Sequence, residues 1–482
     1  MENVKEKYLN KVYEAKNNIK KIYLEKDYTW MIGYSGGKDS NVLVQIIIEA
    51  LLELKTKEFN KKIHIVSSDT LIENPIVLEQ LNKSLKLLKN FSIKYNLPIE
   101  VHKVSPDLDE SFWVNLIGRG YPLPNQSFRW CTDRLKIKPM NKYVEEIEKN
   151  GSNILTVLGV RKGESKSRDI KLDNTKIEES LLRENTTNKG KIFSPIEDFT
   201  LFDIWKYLGE SSLVDFKANN LKLSLLYEDS STGVEECPSS LDDKLQKGCG
   251  SSRWGCWLCP VVTKDKSLQG FINSGNNWLK PLIDFREELI KERDLFKNRY
   301  HASFRINKTS KKVTLIKYRF MDLKEKDGVY FLPKKDIREK IIFGQINNEN
   351  YLINEDKKIK IFSESEARQM IDDKKINPYH ENNELLIKDI IVKLDKNLNN
   401  NKLSIMGLGP YTLSYRINLL ERITDLNKKM KKYDMSLISE QEIIKILDII
   451  ELVKKELEKN DYLIKKYTDI KKIMEMNKDA RE

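Results

Sequence analysis

Tyr28-Thr29-Trp30-Met31-Ile32-Gly33-Tyr34-Ser35-Gly36-Gly37-Lys38-Asp39-Ser40 reads as an aromatic and apolar strand running straight into a glycine-containing loop. Residues 41–54, which follow, have the length and apolar content of a buried helix. A loop between a strand's carboxyl end and a helix's amino end is a place where phosphate binds. Two glycines permit a sharp turn, and successive N–H groups converge on an anion at the positive helix end. Ser35 and Ser40 add hydroxyl donors, and Lys38 adds a point charge. The Walker A spacing GxxxxGK[ST] is absent, and Asp39 stands where a magnesium-binding hydroxyl would be. An aspartate in an anion site repels phosphate unless it serves a metal or packs away.

The alternation of strand and helix continues downstream. Residues 63–66, 99–104 and 154–160 read as strands, and residues 75–95 carry leucines at helical spacing. This order predicts an α/β fold, a doubly wound parallel sheet with ligands at the carboxyl ends of its strands. Residues 170–192 are polar and read as a mobile loop, while about 230–265 reads as irregular chain wrapped around something. Short β-like runs occur at 313–316 and 328–331. From about Ser363 the chain reads as helical except at Gly407-Leu408-Gly409-Pro410. The expected domains are 1–215 for the nucleotide-type sheet, 216–300 for the cysteine-rich segment, and 301–482 for a mixed, then mainly helical, C-terminal region.

With 482 residues, 39% hydrophobic and 33% charged, the chain is long enough for more than one core. A net charge of +12 admits an anionic partner such as nucleic acid, and equally a solvated lysine-rich surface. The first residues carry no apolar secretory segment. The longest apolar stretch, 42–54, is broken by Gln45, Glu49 and Glu53 and is too short to span a bilayer, so a cytoplasmic location is expected.

Four of the five cysteines, Cys237, Cys249, Cys256 and Cys259, fall close together, which in a long cytosolic chain argues for metal rather than disulfides. Cys256-Trp257-Leu258-Cys259 places two thiolates on one turn. Four thiolates suit a [4Fe–4S] cluster or tetrahedral zinc. The cluster is favoured, because zinc ribbons usually present two such turns and only one exists here. Cys131 sits in Phe128-Arg129-Trp130-Cys131-Thr132-Asp133-Arg134-Leu135-Lys136, where Arg129, Arg134 and Lys136 would lower its thiol pKa. A buried, inert cysteine is the plain alternative.

Taken together these motifs resemble the PP-loop ATP pyrophosphatases, and in particular their PAPS-reductase-like branch, over roughly residues 28–210. The matching elements are SGGKDS at 35–40, Ser68-Asp69-Thr70, Gly159-Val160-Arg161-Lys162-Gly163-Glu164-Ser165 with Arg168, and Pro195-Ile196-Glu197-Asp198-Phe199-Thr200 with Asp203-Ile204-Trp205. The resemblance implies ATP with Mg2+, cleaved at the α–β linkage. Ser35, Gly36, Gly37, Lys38, Asp39, Ser40, Asp69, Thr70, Gly159 and Arg161 would hold the nucleotide, with Asp39 on the magnesium side. The stretch around Cys131 resembles the Cys-Cys-x-x-Arg-Lys-x-x-Pro element of cluster-bearing adenylylsulfate reductases, with only the first cysteine retained. That leaves open a second ligand set in which Cys131 joins Cys256 and Cys259.

Adding Gly255-Cys256-Trp257 through Val262, Lys264-Asp265-Lys266-Ser267 and Gly409-Pro410-Tyr411-Thr412-Leu413 with Arg416 and Glu421-Arg422, the chain resembles the DndC family. These are the sulfurtransferases of bacterial DNA phosphorothioation. The resemblance implies that a non-bridging phosphate oxygen of DNA is adenylated and replaced by sulfur. Cys131 would carry the sulfur, with Cys237, Cys249, Cys256 and Cys259 holding the cluster. DNA, a cysteine desulfurase and other phosphorothioation-complex proteins would be the partners. The alternatives are a PAPS or adenylylsulfate reductase and a PP-loop tRNA thiolase. A scaffold that has lost catalysis is disfavoured by the intact loop. The region from about Ser363 would contact partners or DNA without chemistry, so a chain cut after about residue 360 would still cleave ATP.

Overall fold

In the computed structural model, residues 2–54, 59–126, 128–149, 151, 153–163, 181–184, 190–230, 254–295, 298–300 and 408–459 are described, and between 303 and 406 mainly the strands. The chain forms two compact units that do not follow chain order: residues 1–107 with 124–286, and residues 108–123 with 287–482. The sequence reading places its divisions after 215 and after 300 instead.

The first unit contains α1 (Glu2–Glu25), β1 (Thr29–Gly33), α2 (Lys38–Leu52), β2 (Ile63–Ser68), α3 (Pro75–Lys94), β3 (Ile99–Val104), α4 (Lys138–Glu148), β4 (Ile154–Val157), β5 (Leu182–Glu184), β6 (Lys191–Phe193), α5 (Leu201–Glu210), α6 (Lys217–Ser230) and α7 (Lys266–Asn273). Its sheet runs in the order β3-β2-β1-β4-β6-β5. Every pairing is parallel except that of the edge strand β5 with β6. The doubly wound α/β architecture is as expected. Because β1 lies between β2 and β4, the strand order reverses at β1, which is where such sheets open a ligand crevice.

Alternation along the strands decides the layers. Trp30, Ile32, Ile63, Ile65, Leu155 and Val157 face one core, shared with the apolar sides of α1, α2, α3, α5 and α6. Met31, Val66 and Ile154 face the other, under Val144 and Ile147 of α4. The Thr200–Asp203 portion of the Pro195 motif is a capping box. Thr200 accepts from the Asp203 amide, and the Asp203 carboxylate accepts from the Thr200 amide at 2.8 Å.

Part of the polar stretch expected to be a mobile loop is β5 and β6. The two strands are only three residues long and one buried position is a charged arginine, so they show little apolar periodicity. Leu182 and Arg183 are buried, the latter paired with Glu197.

In the second unit the end of α8 (Lys280–Glu292) leads into a two-stranded ribbon, Ser303–Ile306 with Val313–Ile316. An eight-stranded sheet built from strands between Phe320 and Met406 comes next. Strands Ile391–Lys393 and Leu403–Met406 occupy part of the stretch read as helical from Ser363, and the helices proper are α9 (Leu413–Met430) and α10 (Glu440–Lys459). Residues 108–123 pack here. Arg416, fully buried, donates from Nε to the Ile117 carbonyl at 2.6 Å and also bonds the Gly118 carbonyl. Trp113 Nε1 donates to the Leu437 carbonyl at 2.6 Å. Gly120 has φ +70°, and a Cβ there would meet the Tyr411 carbonyl oxygen at 3.2 Å. Among the described residues, no helix is long and apolar enough to cross a membrane.

Candidate functional site

The loop after β1 is set by its own side chains. Gly36 takes φ +74°, which a side chain rarely adopts. Asn41 donates to the carbonyls of Gly36 at 2.9 Å and Gly37 at 3.0 Å, and its own oxygen accepts from Tyr34 at 2.8 Å. The Ser40 hydroxyl donates to the Gly37 carbonyl at 3.0 Å and lies 3.2 Å from Ser35 Oγ. With those carbonyls tied back, the loop presents its amide side. The N-cap residue of α2, Gly37, has no side chain to cap the first turn, so the helix end keeps much of its positive pole for an anion. Lys38 is buried, with Nζ 5.0 Å over the Tyr227 ring, while its amide donates to Tyr227 Oη at 3.4 Å. Tyr227 stacks on Trp254 with centroids 4.1 Å apart.

Asp39 does not stand uncompensated in this anion site. Its carboxylate meets Arg161 Nε at 2.5 Å and Lys38 Nζ at 3.5 Å. Gly159 makes this approach possible, since a Cβ there would lie 3.1 Å from the Asp39 carbonyl oxygen. On the other flank, buried Asp69 accepts from the Leu71 amide at 2.9 Å and pairs with Lys103 at 3.0 Å. Thr70 donates to Glu73 Oε1 at 2.9 Å and lies 3.4 Å from Cys256 Sγ.

That last contact joins two motifs 186 residues apart in sequence. The cysteine turn docks along the loop after β2: the Asn74 amide donates to the Gly255 carbonyl at 3.3 Å, and the Trp257 amide to the Ile72 carbonyl at 3.1 Å. Glu73 pairs with Cys256 in an antiparallel bridge. Arg286, 1% exposed, donates from Nε to the Cys259 carbonyl at 3.0 Å and also bonds the Val262 carbonyl. The Cys131 segment docks on the same strand end, with Ser68 Oγ donating to the Leu135 carbonyl at 3.3 Å.

Cys131 therefore lies within electrostatic reach of Cys259, and Cys259 within reach of Cys256. Cysteines from two distant stretches are thus carried on neighbouring segments, and thiolates in such numbers suit an iron–sulfur centre. Cys237 and Cys249 lie outside the described residues, as do Glu164, Ser165 and Arg168.

The expected lowering of the Cys131 pKa is reversed. Burial first, then the Cys259 thiol, pushes it up. Lys136 is turned elsewhere: its ammonium sits 3.4 Å from Glu73, and Glu73 and Cys256 hold its pKa up against burial. Burial, followed by Glu73, also pushes the Cys256 thiol up. The cationic spacing around Cys131 thus gave the wrong sign, because a π-helical turn over Asp133–Ile137 aims Lys136 at Glu73.

Residues that the sequence did not single out include Asn41, Glu73, Lys103, Tyr227, Trp254 and Arg286. Asn41 follows SGGKDS directly and was the most accessible of them. The others join the site only through tertiary packing.

Comparison with known proteins agrees with this geometry. Residues 29–261 match the family model of the phosphoadenosine phosphosulfate reductase domain. This segment is therefore similar to the PAPS-reductase-like PP-loop domains. An uncharacterized protein of Methanocaldococcus jannaschii is 28% identical over 274 residues, 56% of this chain and 45% of that relative. The match thus spans less than half the relative's length. A phosphoadenylyl-sulfate reductase from Candida auris in a phosphate complex has a TM-score of 0.27 at 14% identity, covering 41% of this chain and 79% of that one. A U34-tRNA thiolase from Methanococcus maripaludis, with its [4Fe-4S] cluster, has a TM-score of 0.28 at 12% identity, covering 59% and 81%.

Proposed function

We propose that this protein is an ATP-dependent sulfurtransferase that modifies the DNA backbone, as its resemblance to the DndC family implies. In this reading ATP is split between its α and β phosphates and AMP is attached to a non-bridging phosphate oxygen, with release of pyrophosphate. Sulfur then displaces that oxygen, which leaves with AMP. The observation that carries the reading is the docking of the Gly255–Cys259 turn on the loop after β2. It sets the cysteine turn beside Asp69 and Thr70 at the carboxyl end of β2, which supports a reading in which sulfur and nucleotide meet there.

The residues divide the work as follows. Lys38, Ser35, Ser40 and the loop amides would hold the ATP phosphates. Asp39 would take Mg2+, and its Arg161 partner would then turn to the phosphorus under attack, where a guanidinium offsets developing charge. Asp69 and Thr70 would border the nucleotide on the β2 side. Cys131, Cys256 and Cys259 would be three ligands of a [4Fe–4S] cluster, which would supply a place for sulfide to bind, and this ligand set replaces the one in which Cys237 and Cys249 join Cys256 and Cys259. A cysteine desulfurase would supply persulfide sulfur, a dithiol reductant would supply the two electrons that bring it to the sulfide level, and other phosphorothioation-complex proteins would present DNA.

The domain match at 29–261 also favours a second reading, a PAPS or adenylylsulfate reductase. Chromatography of ATP incubated with the full-length protein and DNA tests the proposal. AMP and pyrophosphate are expected, with turnover rising when DNA is present. ADP and orthophosphate, or release of sulfite from an adenylyl sulfate without ATP cleavage, would overturn it.

A further inference from the structure

Two of the chain's four histidines, His64 and His102, meet on the face of the sheet under α4, away from the loops just described. Their placement follows from register. His64 of β2 pairs with Glu100 of β3, and Val66 pairs with His102. Glu100 and His102 are two residues apart on one strand, so their side chains share a face with that of His64. His64 Nδ1 lies 3.4 Å from His102 Nε2 and 3.6 Å from Glu100 Oε2, and His102 Nε2 lies 3.4 Å from Glu100 Oε2. Tyr143, from α4, brings its hydroxyl to 2.9 Å from His64 Nδ1.

We propose that His64, Glu100 and His102 form a tetrahedral site for a divalent transition metal of the zinc type, with Tyr143 beside its fourth position. The size of the triangle selects the ion. Ligand atoms about 2.0–2.1 Å from tetrahedral zinc are about 3.3–3.4 Å apart, close to the observed edges. Octahedral magnesium, with ligands at about 2.0–2.1 Å, would need edges of only about 2.9 Å. Two imidazoles and one carboxylate also match zinc in ligand type and are poor for magnesium or calcium.

The crowding on His64 points the same way. One imidazole nitrogen carries a single proton or a single lone pair, yet three polar atoms converge on Nδ1 within 3.6 Å. His64 is buried, while the His102 and Glu100 side chains are 34% and 43% exposed, so an ion can enter from solvent. His64 lies four residues before Ser68, about 13 Å along β2 from that strand's carboxyl end at about 3.3 Å per residue. Its place between strands and α4 makes it a clamp, not a reaction centre. Two features compete with the metal: Lys62, 2.9 Å from Glu100, and a metal-free pairing in which Tyr143 donates to His64 and His102 donates to Glu100.

Cobalt(II) titration of full-length, metal-free protein tests the site. Cobalt here should give tetrahedral visible absorption without the thiolate-to-cobalt charge-transfer bands that mark cysteine-bound metal. His102→Gln, at a partly exposed position, should weaken this component at least tenfold and leave the thiolate component unchanged. Glu100→Gln should do the same to a smaller degree. If the wild type shows only thiolate-type absorption, or if His102→Gln binds as the wild type does, the metal-free pairing is correct. Should both variants misfold, cobalt-edge X-ray absorption of the wild type decides: imidazole scattering in a sulfur-free component upholds the site, and sulfur ligation of all bound cobalt overturns it.

Discussion

Gly36 carries the tightest constraint of any single residue in the loop. Its φ of +74° costs an alanine about 1–2 kcal/mol, and a Cβ would also press Leu81 Cδ1 at 2.9 Å. Gly36→Ala should fold yet cleave ATP at least tenfold more slowly, measured as pyrophosphate release. Asp39 and Arg161 act as a pair, so Arg161→Ala should lower kcat by about a hundredfold if the guanidinium serves the transition state. A change confined to KM would make it a ground-state contact. Cys131 is the residue where sequence and geometry diverge most. Its cationic neighbours suggested a free, activated thiol, whereas burial, and after it the Cys259 thiol, raises its pKa. Cys131→Ser should therefore lose most of the bound iron while keeping ATP cleavage. Normal iron content with no sulfur transfer would restore the carrier role that the sequence suggested.

Elements rather than residues decide how the cysteine turn is seated. The loop, β1 and α2 were readable because a strand, a Gly-Gly turn and an apolar helix are contiguous in sequence, and the phosphate-binding argument needs nothing else. The docking of 254–259 along 72–74 was not readable. It is made by backbone pairing and by Arg286, which no local pattern announces. The edge strand β5 was missed because it is three residues long and fills a buried position with Arg183, whose charge is met by Glu197. Tyr227, too, lies on α6 and reaches Lys38 only through the packing of that helix. If Arg286 holds the cysteine turn, Arg286→Ala should destabilise the first unit by about 2–4 kcal/mol, two lost charge-assisted bonds less some relaxation. It should also lower iron content. Unchanged thermal unfolding and full iron loading would show that the turn holds itself.

The whole molecule does not divide along the sequence. Residues 108–123 leave the first unit between β3 and the Cys131 segment and pack with α9 and α10, where Phe112, Trp113, Val114, Leu116 and Ile117 are buried. A chain cut after about residue 360 would uncover that apolar set and should be insoluble, against the sequence expectation that it keeps ATP cleavage. Sedimentation and yield of the truncated chain check this, and a soluble, active fragment would show that 108–123 can be covered another way. The tail motif Gly409-Pro410-Tyr411-Thr412 has its physical reason here: the Tyr411 amide donates to the Gly120 carbonyl at 2.8 Å and its ring lies 5.2 Å from the Arg299 guanidinium. The central claim is that ATP activates a DNA phosphate oxygen for exchange with sulfur. Mass spectrometry of nuclease-digested DNA from cells carrying the gene with its partners, against cells with Asp39→Ala in the same background, tests it most directly. The account predicts sulfur-containing, nuclease-resistant dinucleotides in the first and none in the second; unmodified DNA in both, with the gene-dependent sulfur found in tRNA bases or released as sulfite, would contradict it.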